Sequence, residues 1–317
     1  MRCSGSPFNG VAAVSLKEAA DSIMSARFHL IMLLILLTAL GAIYGAIGQI
    51  TATSAEEEFL FLKLLTTARD PLPSFVDFLS FLLPLVAIAL GFDAINGEYA
   101  RRTMSRLLAQ PIYRDAVLFG KFLGNILVIT IGLLTLWLMM IGLGILSLGL
   151  PPSFADVIRG GVFLAVTVAY TGVWLAIAIV LSILIRSPAT SALAALSTWL
   201  VLSVFWGMLA RLIAGAFSPI DRLDPMSVVG QFEAQQAIAR LSPQVLYGEA
   251  TTILLDPSAR SVGPLFLDQV QGAIMGAPIP TLQSILIVWP QITGLISAMI
   301  LLFAFGYVAF QRQEVRA

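Results

Sequence analysis

The sequence predicts an all-α, polytopic membrane protein. It has six transmembrane helices, an N-terminal amphipathic helix and a helical external loop between helices 5 and 6. Three observations carry this reading. Of the 317 residues, 58% are hydrophobic and only 11% are charged, whereas a soluble globular domain carries about 25% charged residues. Six apolar runs, 30–50, 75–92, 122–150, 160–185, 189–217 and 284–310, reach or approach the roughly 20 residues that cross a bilayer as a helix. The rest of the composition removes soluble alternatives. A single cysteine, Cys3, leaves no disulfide framework or cysteine-based zinc site, and a single histidine, His29, leaves no two-histidine metalloprotease helix. Lys+Arg 18 balances Asp+Glu 18, so no overall basic field attracts nucleic acid, and the expected surroundings are the lipid bilayer.

Residues 15–27 are expected to form a short interfacial helix. Ser15 and Glu18 have capping-box spacing, and Leu16, Ala19, Ala20, Ile23 and Met24 share a face flanked by Lys17 and Arg27. The first apolar run is expected to be a retained span. Thr51 to Ala55 offers small residues suited to signal cleavage, but the apolar core is too long and 29 residues precede it. The second run is short and holds Pro84, which bends a helix or breaks its ladder. The fourth and fifth are separated only by Arg186-Ser187-Pro188 and form an antiparallel hairpin. The fifth carries small residues near its start, Ala189, Ser191, Ala192, Ala194, Ala195 and Ser197, which suit close helix approach, either between subunits or within one.

Six spans put both termini on one side. Eleven basic residues lie on that side, from Arg2, Lys17 and Arg27 to Arg312 and Arg316, against seven spread over much longer loops on the other. The excess places both termini in the cytoplasm of an inner (cytoplasmic) membrane protein.

The loop 93–121 is the most informative stretch. Asn96-Gly97 breaks the second span, and a new helix is expected to start near Glu98, whose carboxylate suits a helix N-terminus. Tyr99, Arg101, Arg102 and Arg106 follow, Pro111 stops this helix, and Asp115, after Arg114, is expected to cap the helix that enters span three. A charged helix between two breaks could transmit force from a cytoplasmic partner, or it could simply anchor the topology. On the other side, 218–283 is too long for a simple connector. Ser227 to Leu241 reads as one helix, and Ser242-Pro243 starts a second that ends before Asp256-Pro257. The apolar face of this second helix, with Val245, Leu246, Ile253 and Leu254, is expected to lie on the external face as a lid.

No serine lies in a nucleophile elbow, and the Gly120-Lys121 pair is followed by Phe122, so no phosphate loop is present. Runs one, three, four and six contain no acidic, basic or histidine residue. Ion-coupled carriers generally need such groups inside the membrane, although some sodium sites use mainly backbone and hydroxyl oxygens. An ion-coupled secondary carrier and a non-transporting assembly factor are therefore the weaker alternatives, and the energy for transport is expected from elsewhere than an ion gradient.

The loop 93–121 resembles the permease subunits of type-2 ABC exporters. Glu98, Thr103-Met104, Leu107-Leu108, Pro111, Arg114 and Gly120-Lys121-Phe122 match their motif in order, with Arg102 where glycine is common. The outer loop, with Leu241-Ser242-Pro243 and Leu255-Asp256-Pro257, is similar to the branch that includes nitrous-oxide-reductase maturation permeases. The resemblance implies one permease domain over 1–317, with an elbow helix at 15–27, a coupling region at 93–121 and an external helical loop at 218–283. It further implies a second permease copy meeting this one at a dimer seam along spans two and five, two separate ABC ATPase subunits that hold ATP and Mg, and no cofactor in this chain. The coupling residues would be Asn96, Gly97, Glu98, Tyr99, Arg101, Arg102, Arg106, Pro111 and Arg114, and the external lid Leu246, Ile253 and Leu254.

Overall fold

The computed structural model describes residues 7–50, 59–104, 114–149, 151–219, 225–257 and 279–313. The first part of the chain forms α1 (Pro7–Ile23), α2 (Ala26–Ile50), α3 (Leu60–Thr66), α4 (Phe75–Gly91) and α5 (Asn96–Ala100). Two long helices follow, α6 (Arg114–Leu148) and α7 (Phe154–Leu184). Then come α8 (Pro188–Leu200), a π-helical turn at Val201–Phe205, and α9 (Trp206–Phe217). The chain closes with α10 (Pro225–Ala239), α11 (Pro243–Leu255), α12 (Thr281–Ile287) and α13 (Trp289–Arg312).

Among the described residues, six stretches are long and apolar enough to cross a membrane: Ala26–Gln49, Phe75–Ala100, Asp115–Ser147, Phe154–Leu184, Pro188–Phe217 and Trp289–Arg312. Several ends lie beyond the apolar runs, where polar residues find partners. In α2, Arg27 pairs with Asp93 at 3.0 Å. The α7 helix starts six residues before its run because Ser153 and Asp156 form a reciprocal capping box. The last run is divided instead: Val288 separates α12 from α13, and Pro290 sits in the first turn of α13. Asp115 is not a cap; it lies in the first turn of α6 and accepts a hydrogen bond from Gln311 of α13.

The N-terminal helix also differs from the sequence reading. It begins at Pro7 and ends at Ile23, so Ser15 is an interior residue whose hydroxyl donates to Val11 O at 2.8 Å. The expected capping box is absent because the helix already has two turns before Ser15. Leu16, Ile23 and Met24 stay exposed, while Val14 and Ala19 are buried against the start of α6. The contact depends on two glycines four residues apart. A Cβ on Gly120 would lie 2.4 Å from Val14 Cγ1, and one on Gly124 would lie 2.7 Å from Ser15 O. This is the small-residue spacing that lets helices pack closely.

At the centre is α7, which packs against α4, α6, α8, α11, α12 and α13. Its most apolar window is 72% buried, against 11% for the fifth and last spans, so these two leave most of their surface for other contacts. Leu193, Leu196, Leu200 and Val204 of the fifth span point outward. Ser191 and Ala195, read as part of a dimer seam, are fully buried within this chain.

Two features shape the bundle. Pro84 has no N–H, so Ser80 O, four residues earlier, has no intrahelical donor; the buried Tyr170 hydroxyl donates to it at 2.7 Å. In addition, α10 and α11 do not lie flat across the end of the bundle. Trp206 Nε1 donates to Ile238 O at 3.0 Å, and Ser242 Oγ donates to Leu202 O at 2.7 Å. Tyr247 stacks on Tyr170 with ring centres 4.3 Å apart, about midway along the 31-residue α7, a helix of about 46 Å at 1.5 Å per residue. Thus α10 runs back along α9, the chain turns at Ser242, and α11 returns along α7. The bundle drives this placement because α11 can bury Tyr247, Ala250, Ile253, Leu254 and Leu255 there, whereas a 13-residue helix is marginal alone in water.

Candidate functional site

Where α4 ends, the backbone turns through Phe92–Ile95 into α5, held against the end of α7. Ser182 Oγ accepts from Ile95 N at 2.9 Å and Asn96 N at 3.1 Å, and Asn96 Nδ2 donates to Ile185 O at 2.9 Å. The approach is close: a Cβ on Gly91 would lie 2.7 Å from Ala178 Cβ. Asn96 is therefore buried and fixes the entry to α5. Gly97 is also buried, 3.3 Å from Asp93 Cβ if it carried a Cβ, while Tyr99 is half-buried and Arg101 and Arg102 are exposed.

Glu98 turns inward. Its Oε1 accepts from Lys121 Nζ at 3.1 Å, and its Oε2 accepts from the Thr103 hydroxyl. Lys121, only 3% exposed, also donates to Glu18 Oε1 of α1 at 2.8 Å. Lys17 continues the series, 3.4 Å from Glu18 and 3.0 Å from Asp21. Burial alone would depress the Lys17 ammonium, but the hydrogen bond to Asp21 and the charges of Glu18 and Asp21 hold it above its ordinary value. Lys17, Glu18, Lys121 and Glu98 thus alternate in sign and tie α1, α5 and α6 together. A second set flanks them: Ser22 Oγ donates to Asn125 Oδ1 at 2.8 Å, and Asn125 Nδ2 donates to Leu90 O at 3.3 Å. Arg27 lies over the Phe92 ring at 5.3 Å. These groups line an open cleft of about 420 Å³ that presents both signs of charge, including Asp21, Arg27, Asp93 and Arg101.

The helix expected to run from Glu98 to Pro111 stops early. It ends at Ala100, and Arg102 adopts φ 55°, a left-handed conformation that costs a residue with a Cβ roughly 1–2 kcal/mol. Arg102→Gly is therefore expected to stabilise the chain by about 0.5–1 kcal/mol, after the greater entropy of glycine in the unfolded state. A lowered melting temperature would show instead that the Arg102 side chain offsets the strain. Arg106 and Pro111 lie outside the described residues, as does the side chain of Arg114, whose backbone opens α6.

Glu18, Thr103, Lys121 and Asn125 were not singled out as site residues. Their sequence signals were a lysine at the start of an apolar helix and the Gly120/Gly124 spacing.

At the other end of the bundle, Arg159 is 1% exposed. Its Nη1 donates to Leu254 O at 3.0 Å and Ser284 Oγ at 3.1 Å, and its Nη2 donates to Ile279 O at 2.6 Å. The cation thus sits at the C-terminal end of α11, where the helix dipole favours it. Ile253 and Leu254 are fully buried in the bundle, and Leu246 packs on Gly294 of α13. Glu249 of α11 accepts from Arg240 Nε, in the turn after α10, at 2.9 Å and from Gln291 Nε2 of α13 at 2.9 Å. Among the described residues, no group of three or more His, Cys, Asp and Glu could hold a metal ion.

Comparison with known proteins gives a consistent picture. Residues 12–315 match the family described as "ABC-2 family transporter protein". The chain is 30% identical over 224 residues to the "Probable ABC transporter permease protein NosY" of Stutzerimonas stutzeri, covering 67% of this chain and 74% of that protein. It is 32% identical over 198 residues to the protein of the same name from Pseudomonas aeruginosa, covering 60% of this chain and 65% of that one.

Proposed function

This chain belongs to the ABC-2 family of transporter proteins, and from that premise we propose that it is the exporter permease that receives, through α5 and the turn before it, the push of a separate ATPase. The observation that carries the reading is Lys121 held between Glu18 at 2.8 Å and Glu98 at 3.1 Å. A force on α5 reaches α1 and α6 through this lysine, and it reaches α7 through Ser182. The mixed-charge cleft beside it suits a charged projection of a partner protein.

In this reading two ATPase subunits bind and hydrolyse ATP with Mg, and this chain holds neither. A second copy of the permease completes the path, and the outward face of the fifth span, with Leu193, Leu196 and Leu200, supports pairing there. Both termini and the Lys121 end lie in the cytoplasm of the inner membrane, supported by Lys17, Arg27, Arg101, Arg102, Arg186 and Arg312 at that end. Outward transport is supported by the likeness of the 93–121 loop to exporter permeases.

Arg101→Glu tests the reading with little effect on the fold, because Arg101 is exposed and, among the described residues, its side chain hydrogen-bonds only to Gly97 O, at 3.3 Å. We expect the variant to insert normally and to lose about tenfold in stimulation of the co-purified ATPase, the scale of one lost charge-assisted contact. Unchanged stimulation and unchanged co-purification would reject α5 as the contact.

A further inference from the structure

We infer that a water-filled pocket descends along α10 to the Arg240–Glu249 ion pair, at membrane depth, and serves a hydrated cargo rather than a lipid. The depth of the pair follows from two neighbours. Ser242 donates to Leu202 O at 2.7 Å, and Leu202 stands at the midpoint of the 30-residue fifth span. Tyr247 stacks on Tyr170, near the midpoint of the 31-residue α7. At 1.5 Å per residue, Leu202 and Tyr170 each lie about 21 Å from the end of their helix beside Arg186. A hydrocarbon core is about 30 Å thick. Arg240, just before Ser242, and Glu249, just after Tyr247, therefore lie within it, in the half nearer Arg159.

The pair is held at that depth. Arg240 Nε donates to both Glu249 oxygens, at 3.1 and 2.9 Å, and Gln291 Nε2 donates to Glu249 Oε2 at 2.9 Å. Glu249 is 12% exposed at the side chain and Gln291 is buried, so the guanidinium cannot snorkel to the headgroups without leaving its partner. A purely structural staple would spend its polar groups on the protein. Here, among the described residues, Nη1 and Nη2 of Arg240 have no hydrogen-bond partner, and Gln291 Oε1 is buried without one. The Arg240 side chain is nevertheless 38% exposed. A cation with most of its hydrogens unused does not face lipid tails. Water accepts from the open fork and donates to Gln291 Oε1, which gives it the polar partners an ordered water needs.

The way in is along α10. None of residues 226–241 is buried, and Ser227, Gln231, Glu233, Gln235 and Gln236 precede Arg240 along the helix. Polar groups in such number beside a transmembrane helix line water or protein, not hydrocarbon. Amides, a carboxylate and a guanidinium pair with a hydrated solute and give a lipid tail nothing to pack on. That the pocket belongs to a transport path rests on the permease reading; the water in it does not.

The test uses the full chain in lipid nanodiscs, with Cys3, its single cysteine, replaced by Cys3→Ser. Nitroxide labels at Ala237→Cys and Leu241→Cys flank Arg240 at exposed positions and leave the ion pair intact. Leu301→Cys, on the outward face of α13, is the lipid reference. Power-saturation EPR then compares collisions with a water-soluble nickel chelate and with oxygen, which concentrates in lipid. We expect nickel collisions at both α10 labels several-fold above those at Leu301→Cys, with oxygen collisions below. Oxygen-dominated collisions at Leu241→Cys would place the hairpin tip in lipid and overturn the inference. Protection from both reagents would place it in a dry protein contact, such as one with a second copy, and overturn it equally. Because no ATPase enters the measurement, its failure leaves the α5 contact standing, and failure of the α5 contact leaves the pocket standing.

Discussion

Lys121→Met is expected to destabilise the protein by about 3 kcal/mol, because removing one member of a buried ionic cluster strands the others. Glu18 and Glu98, each only 13–14% exposed at the side chain, would face each other without the cation between them. The apparent melting temperature in detergent should fall by several degrees, and α1 should become accessible to protease. A triple variant, Lys121→Met with Glu18→Gln and Glu98→Gln, separates charge from packing. Replacing a whole buried ionic cluster with neutral groups is often neutral in stability, so the triple variant should regain most of the loss. A triple variant no more stable than the single one would mean that the methylenes of Lys121, rather than its charge, hold the helices.

This cluster also shows where sequence reasoning reaches its limit. The spans were legible because an apolar run long enough to cross a bilayer has few other uses, and Asn96-Gly97 marked the break after α4 through local backbone chemistry. Glu18 was misread because its spacing from Ser15 is a local pattern, while its real partner lies 103 positions away. The helix from Glu98 looked continuous to Pro111 because nothing in the residues Arg101-Arg102 announces a left-handed turn. The path of α11 into the bundle was likewise hidden. Its apolar face was visible, but the stacking of Tyr247 on Tyr170 and the freed carbonyl of Ser80 are properties of three helices together.

The second large effect is expected at Arg159. Arg159→Met removes all three of its hydrogen bonds, to Leu254 O, Ser284 Oγ and Ile279 O, and leaves buried acceptors unpaired at about 1–3 kcal/mol each. We expect a loss of about 3 kcal/mol or more, concentrated where α11 ends. Arg159→Lys keeps the charge but presents one ammonium where a planar fork served separated acceptors, so its cost should be intermediate. Hydrogen exchange over 243–257 reports the outcome. Protection unchanged from the wild type in Arg159→Met would show that apolar burial alone holds α11 in place.

The π turn at Val201–Phe205 carries one more residue than an α-helical turn would need, and it resets the phase of the fifth span. At about 100° per residue, that single insertion rotates everything beyond it by more than a quarter circle. Ser191, Ala195 and Trp199 are the buried positions before the turn, and Ala210 and Ala214 are those after it. The first group addresses α4 and α7, and the second addresses α10. One continuous rod could not present both faces in the directions the bundle requires. Winding all five residues of 201–205 as regular α-helix would swing α9, with α10 beside it, out of register with Ser242, whereas deleting one of them would let the turn become regular and leave α9 facing nearly as it does. The wide turn therefore sets which residues of the second half of the span face inward, while the first half keeps its own face.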